Sequence, residues 1–273
     1  MEFQNNISLA KHTSFKIGGP ARYFCIAKSK EDLIKAIKKA KDLNLPFFIL
    51  GGGSNVLALD KGFNGLVIKF ETSKLENLVK SSAKESLTGL EWAAGIPGTV
   101  GGAVYGNAQA FDIKMSDIIK SVEVFNTKTL KIKKLSKKQC QFSSKNSIFK
   151  KNKNLIILSV LLKLKKGNKE KIQKEIKEHL NIRKQRHPLS FPSAGSIFVN
   201  KTGTDPSSYL IEKAGLKGTK KGGAKVSEKH AGFIVNTGKA KAKDVLDLIK
   251  IIKQKVKSKF GITLKEEIQV INT

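Results

Sequence analysis

Between Glu31 and Leu43 the apolar residues fall at Leu33, Ile34, Ile37, Ala40 and Leu43, and that three- and four-residue spacing lays one stripe along a helix. The apolar run Ala21–Ala27 before it reads as a strand. Pro46 ends the helix, because proline lacks the amide hydrogen a helix interior uses. Phe47–Leu50 and Leu66–Phe70 are apolar runs of strand length, so the chain opens on a β-α-β unit. After Lys165 the pattern changes. Lys169–Arg186 carries Ile172, Ile176, Leu180 and Arg183 at helical spacing on a basic helix. A strand Ser196–Asn200, a helix opened by Asp205-Pro206, a strand Ala231–Asn236, a helix Ala242–Phe260 stopped by Gly261, and a final strand Ile262–Ile271 follow. The alternation predicts an α/β (α+β) protein of two domains, 1–165 with an internal division near 70, and 166–273.

The 273 residues, 40% hydrophobic, are enough to bury a core for each. The longest apolar stretch, Leu155–Leu162, is far shorter than the ~20 residues a spanning helix needs, and the N-terminal residues do not read as a secretory signal. A cytoplasmic protein with no membrane partner is expected. The net charge of +30 invites a nucleic-acid reading. Yet Arg22, Arg183 and Arg186 are the only arginines, and lysine is spread along the whole chain without interleaved aromatic residues, so the forks and stacking platforms of nucleic-acid binding are missing. A solvated surface that draws in small anions fits better, with no specific nucleic acid as partner. Cys25 and Cys140 make no close pair with each other or with a histidine, and His12, His179, His187 and His230 are scattered; no metal site is expected.

Two glycine clusters stand out. In "LGGGSNVLALDKG" (Leu50–Gly62), Gly51, Gly52 and Gly53 precede Ser54 and Asn55 directly after a predicted strand. Serial glycine forfeits side-chain packing and adds conformational entropy to lose, so the backbone must be needed there for positive φ or close approach. No long helix follows, which excludes a dinucleotide turn of the G-x-G-x-x-G type; a nest of backbone N–H groups holding an anion is the alternative device. In "GLEWAAGIPGTVGGAVYGNA" (Gly89–Ala108), Pro97 is suited to open a short helical turn, and Gly98, Gly101 and Gly102 would strip side chains from one side of it. Two such loops argue for one long ligand.

Taken in order, "HTSFKIGGPA", "LGGGSNVLALDKG", "GLEWAAGIPGTVGGAVYGNA", "PSAGSIFVN", "LIEKAGLKG", "GGAKVSEKHAGFIVN" and "GITLKEEI" resemble the flavin-dependent UDP-N-acetylenolpyruvoylglucosamine reductases of bacterial peptidoglycan synthesis, in the shorter form without a mid-chain insertion. The resemblance covers nearly the whole chain. It implies an FAD-binding module of the vanillyl-alcohol-oxidase type followed by a substrate-binding domain, acting as a monomer on a UDP-sugar. It implies bound FAD, NADPH as co-substrate, and reduction of an enolpyruvyl ether to the lactyl ether of UDP-N-acetylmuramate. Gly51, Gly52, Gly53, Ser54 and Asn55 would wrap the FAD pyrophosphate, with Ile96, Pro97, Gly98, Gly102 and Ala103 on the flavin from the other side.

The same resemblance assigns Ser196 of "AGS" as the proton donor and Glu267 as the carboxylate that assists at the enol, with Glu266 turned to solvent by strand alternation. In "CQFSSKNSIF", Ser144 and Lys145 stand where the family has tyrosine and arginine; Lys145 keeps the charge that stabilises an enolate but loses the planar fork. Asn200, Lys217 and His230 carry over as substrate contacts, and Arg186 with Lys217 would meet the diphosphate. Between Phe70 and Leu87 about one strand of the family pattern is missing, which leaves ladder groups to be paired by other means. The competing expectation is a basic polyanion- or nucleic-acid-binding protein with an eroded flavin site, favoured by the charge, Lys145 and the shortened segment.

Overall fold

A computed structural model describes residues 2–200 and 203–272. By contacts the chain forms two compact units: one of residues 1–25, 40–68 and 184–273, the other of 26–39 and 69–183. This differs from a division at 166. Residues 1–25 and 40–68 of the predicted first subdomain group with the C-terminal segment, whose strand Gln269–Ile271 pairs in parallel with Val56–Ala58, while the helix Lys169–Arg186 stays with the other unit as far as Arg183.

In the first unit, strands Gln4–Ser8, Pro20–Ala27, Phe63–Phe70 and Phe47–Leu50 lie in that order in one sheet. Leu9, Phe24, Leu50, Phe63 and Val67 pack as one apolar cluster. A second antiparallel sheet runs Ser193–Ser196, Phe233–Asn236, Ala224–Val226 and Lys220–Lys221. Its core joins Ile197, Phe198 and Ile234 to Val245, Leu248, Ile252 and Val256 of the helix Ala242–Phe260. That helix has its predicted bounds, stopped by Gly261 at φ 70°. Its first turn is held from a distance: the Asp60 carboxylate accepts from Ala242 N at 2.7 Å and Lys243 N at 3.0 Å, which satisfies two otherwise orphaned donors.

The second unit holds the sheet Lys131–Ser136, Ile119–Asn126, Leu155–Leu162, packed through Val122 and Val124 against Trp92, Val104 and Phe149. The segment after Phe70 runs straight into the helix Leu75–Lys84. Its ladder groups are used nevertheless: Leu75 N donates to Gly98 O at 3.0 Å and Ser73 O accepts from Val100 N at 3.0 Å, so the shortened connection braces the second glycine loop.

Three local expectations are corrected. The strand expected at 196–200 is instead Ser193–Ser196, so Ser196 ends a strand; the ladder is irregular there because Gly195 sits at φ 76°. Regular strand at the C-terminus is confined to Gln269–Ile271. The short helix of the second glycine cluster is Val100–Gly106, opened by Thr99 and not by Pro97; the Thr99 hydroxyl accepts from Gly102 N at 3.2 Å.

Candidate active site

The first unit brings four predicted segments together through backbone bonds. Ile197, next to Ser196, accepts from Glu267 N at 2.7 Å and donates to Gly232 O at 2.9 Å. Ser196 itself is the ladder partner of Phe233. The Asn55 side chain donates to Glu267 O at 3.4 Å, and Asn55 O accepts from Gln269 N at 3.1 Å. The end of the first glycine loop, Glu267, Ser196 and the His230–Phe233 turn are thus one laced cluster. The Ser196 hydroxyl, half-buried, makes no side-chain hydrogen bond among the described residues. Glu266 does not simply face water; it pairs with Lys253 at 2.7 Å and is about as buried as its partner.

Within the glycine loop the positions differ. Gly52 is exposed, whereas Gly53 is buried at φ 65°, where a Cβ would overlap the His12 carbonyl oxygen and lie 2.9 Å from Thr13 Cα. Close approach of the protein's own backbone therefore accounts for Gly53. Ser14 fastens the loop by donating from N to Gly53 O at 3.0 Å and from its hydroxyl to Ser193 O at 2.7 Å.

His230 accepts from Gly232 N at its Nδ1, 3.2 Å away, which leaves Nε2 to carry the proton. Burial, with the Lys217 charge adding to it, pushes its pKa below the ordinary histidine value, so the ring is neutral at pH 7. His187 and Phe233 meet this ring edge-on, at centroid distances of 5.6 and 5.0 Å. Lys217 pairs with Glu212 at 2.7 Å. Asn200 spends its carbonyl on the helix Ser207–Lys213, accepting from Ser207 N at 2.9 Å and Ser207 Oγ at 2.8 Å; its amide nitrogen is the group left for a ligand. Arg186 is exposed, and among the described residues no hydrogen bond or ion pair ties it to the other candidates.

The second unit gathers the remaining candidates. Helix Val100–Gly106 ends on Asn107, whose side chain donates to Ser143 O at 2.9 Å, and Tyr105 O accepts from Ser147 Oγ at 2.7 Å. These bonds anchor the turn that holds Lys145, a non-glycine residue at φ 53°, to the end of the glycine helix. Ile96, Pro97, Gly98, Gly102 and Ala103 lie on or just before that helix, and Gly102 is exposed.

Arg183 is a residue that periodicity alone would place in an apolar stripe. Its Nε donates to Ala94 O at 2.7 Å and its Nη2 to Trp92 O at 3.2 Å, while the guanidinium lies 5.5 Å from the Phe111 ring centroid. Burial lowers its pKa from the ordinary value. It fixes the backbone leading into Ile96. His179, stacked on Phe111 at 3.9 Å and bonded to Glu91 O at 3.0 Å, supports the same loop. Neither residue carries a motif signal beyond helical spacing.

Residues 187–271 match the family model described as UDP-N-acetylenolpyruvoylglucosamine reductase, C-terminal domain, and residues 21–82 match an FAD binding domain. The UDP-N-acetylenolpyruvoylglucosamine reductase of Clostridium novyi (strain NT) is 43% identical over 286 residues, covering 99% of this chain and 92% of that protein. The reductase of that name from Caldanaerobacter subterraneus subsp. tengcongensis is 42% identical, covering 97% and 92%. The solved UDP-N-acetylenolpyruvylglucosamine reductase (MurB) of Thermus caldophilus superposes with a TM-score of 0.85 at 32% identity, over 99% of both chains. The fold, the order of the matched segments and identity along nearly the entire length agree: this chain belongs to the UDP-N-acetylenolpyruvoylglucosamine reductase family.

Proposed function

We propose that this chain reduces UDP-N-acetylglucosamine enolpyruvate to UDP-N-acetylmuramate, with FAD bound and NADPH as co-substrate. The observation that carries the reading is the laced cluster that holds Ser196, Glu267 and the glycine-loop residue Asn55 together. Family membership favours it over the eroded-site alternative.

The residues fit a flavin dinucleotide. Along Val100–Gly106 a Cβ added at Gly106 would meet nothing within 4 Å, and one at Gly101 only an Ile157 methyl at 4.0 Å. Both positions leave space beside the backbone, and Gly52 is exposed in the other loop. Gly51–Asn55 would hold the pyrophosphate through backbone N–H groups, and Ile96–Ala103 the ring system. When bound, FAD supplies the hydride for the carbon distal to the substrate carboxylate.

The chain's own residues manage charge and protons. Reduction makes an enolate, and the Lys145 ammonium stabilises it as a point charge. The Ser196 hydroxyl gives its proton to the carbon beside the carboxylate. A serine hydroxyl has too high a pKa to do so unaided, so donors around it must stabilise the alkoxide. Glu267 assists at the enol. Neutral His230 offers Nε2–H, Asn200 its amide nitrogen, and Lys217 with Arg186 the cations for the diphosphate. The reading keeps FAD binding with residues 1–165 and substrate binding with 166–273, and describes a cytoplasmic monomer without a specific nucleic-acid partner.

The test is a separation of half-reactions. Purified protein should be yellow and bleach on addition of NADPH. Ser196→Ala should still bleach while enolpyruvyl reduction falls by about 10²–10⁴-fold, the usual weight of a positioned acid. Unimpaired reduction in that variant would remove Ser196 from the mechanism.

A further inference from the structure

We infer that the hairpin formed by Ile119–Asn126 and Lys131–Ser136 is a docking surface for the anionic headgroups of a lipid bilayer. From Asn126 to Gln139 the chain carries Lys128, Lys131, Lys133, Lys134, Lys137 and Lys138 and no acidic residue. All six lysines are exposed. Lys131–Ser136 is the edge of its three-stranded sheet, so nothing in that sheet covers its outer side.

Lysines on an edge strand have an ordinary explanation, since they discourage pairing with another chain. That accounts for Lys131, Lys133 and Lys134. It leaves Leu130, 45% exposed, and Ile132, 51% exposed, without a purpose. Leu130 sits at the tip with φ 55°, a conformation leucine rarely adopts. The turn holds that shape firmly. Asn126 Oδ1 accepts from Lys128 N at 2.9 Å and Thr129 N at 3.2 Å, and Thr127 donates to Asn154 O at 2.9 Å from its amide and to Asn154 Oδ1 at 3.0 Å from its hydroxyl.

Two exposed aliphatic side chains on a lysine-rich hairpin suit a bilayer surface. The lysines meet anionic headgroups, and the apolar tips enter the boundary with the acyl chains. Nucleic acid fits less well, because the segment Asn126–Gln139 has no arginine and no aromatic residue with which to fork or stack. The surface concerns a protein lying on a membrane and not crossing it: no helix among the described residues is long and apolar enough to span.

The experiment is flotation of the flavin-loaded protein with phosphatidylcholine vesicles, with and without phosphatidylglycerol. Binding is expected to the anionic vesicles alone and to weaken with salt. At about fivefold in partition per lysine, K131E/K133E/K134E should bind about a hundredfold less. K250E/K255E/K257E makes the same charge change at exposed positions on Ala242–Phe260 and should lose far less. Leu130→Ser with Ile132→Ser should weaken binding at least several-fold while the lysines remain. Turnover in free solution should be unchanged in every variant, which checks folding. Absence of binding to anionic vesicles overturns the proposal. Equal losses in the two lysine triples overturn it in favour of net charge, and displacement by poly(U) with the Leu130/Ile132 variant unaffected overturns it in favour of a nucleic-acid surface.

Discussion

Gly53 and Gly101 both belong to glycine clusters, and their surroundings require opposite responses to the same change. At Gly53 an alanine would occupy φ 65° with its Cβ against the His12–Thr13 backbone. Left-handed backbone costs about 1–2 kcal/mol for a residue with a Cβ, and forcing a methyl group into a packed site costs about 1–3 kcal/mol more. Gly53→Ala should therefore destabilise the flavin-free protein by several kcal/mol. At Gly101, inside Val100–Gly106, the added Cβ meets only an Ile157 methyl at 4.0 Å. Alanine is the better helix former by about 0.5–1 kcal/mol, so Gly101→Ala should raise the melting temperature of the flavin-free chain by about 1–4 °C. If the space beside Gly101 receives the flavin, the same methyl group should weaken FAD binding at least tenfold, read by quenching of flavin fluorescence on titration into stripped protein. Unchanged FAD affinity in Gly101→Ala would refute the placing of the cofactor beside Gly101. A stabilised Gly53→Ala would refute the packing account of the first loop.

Two further outcomes follow from charges in the first unit. Lys217 and Glu212 form a half-exposed pair, with side chains 32% and 53% accessible, so breaking it costs only about 0.2–1 kcal/mol; Glu212→Gln should release Lys217 and lower KM for the UDP-sugar up to about fivefold with kcat unchanged, and a raised KM would exclude Lys217 from diphosphate binding. The half-buried His230 has its pKa pushed below the ordinary 6.5 by burial, so the unfolded chain takes up this proton first as pH falls. Its contribution is whole above pH 6.5 and is lost as pH drops through that value toward the folded pKa. Melting curves between neutral and mildly acidic pH should be flatter for His230→Gln, and identical slopes would place the acid sensitivity elsewhere.

The helix Ala242–Phe260 was legible because burial imposes its period on Val245, Leu248, Ile252 and Val256, whereas in the stripe expected of Lys169–Arg186 Ile172 is buried and Leu180 is 45% exposed. Lys169–Arg186 and Ala242–Phe260 have the expected bounds, and the glycine stop of the latter is a local steric signal. Cys25 and Cys140 are both buried. What periodicity missed depends on partners distant in the chain. Asp60 looks like an ordinary loop acid, yet it caps a helix that begins at Ala242. Arg183 has the spacing of a core residue, and only the carbonyls of Trp92 and Ala94 reveal it as a clamp. The contact-based division differs from a boundary at 166 for the same reason, since a composition break there carries no information about the parallel pairing of Gln269–Ile271 with Val56–Ala58.

The final segment shows why motifs located the candidate residues without predicting how they meet. Read as one strand, Ile262–Ile271 alternates its side chains and sends Glu266 to solvent. The segment instead changes partners in the middle. Val199 N donates to Lys265 O at 2.9 Å and Glu267 N to Ile197 O at 2.7 Å, after which Gln269 N turns to Asn55 O at 3.1 Å. A change of partner breaks the alternation and frees Glu266 to pair with Lys253. It also makes one short stretch of backbone touch the residue after Ser196 on one side and the end of the glycine loop on the other. The bulge at Gly195 serves the same junction, because it ends the strand at Ser196 and lets Ile197 accept from Glu267 while donating to Gly232. Ser196 and the glycine loop are therefore held in common by the segment 265–269, and a shift of register there would displace both.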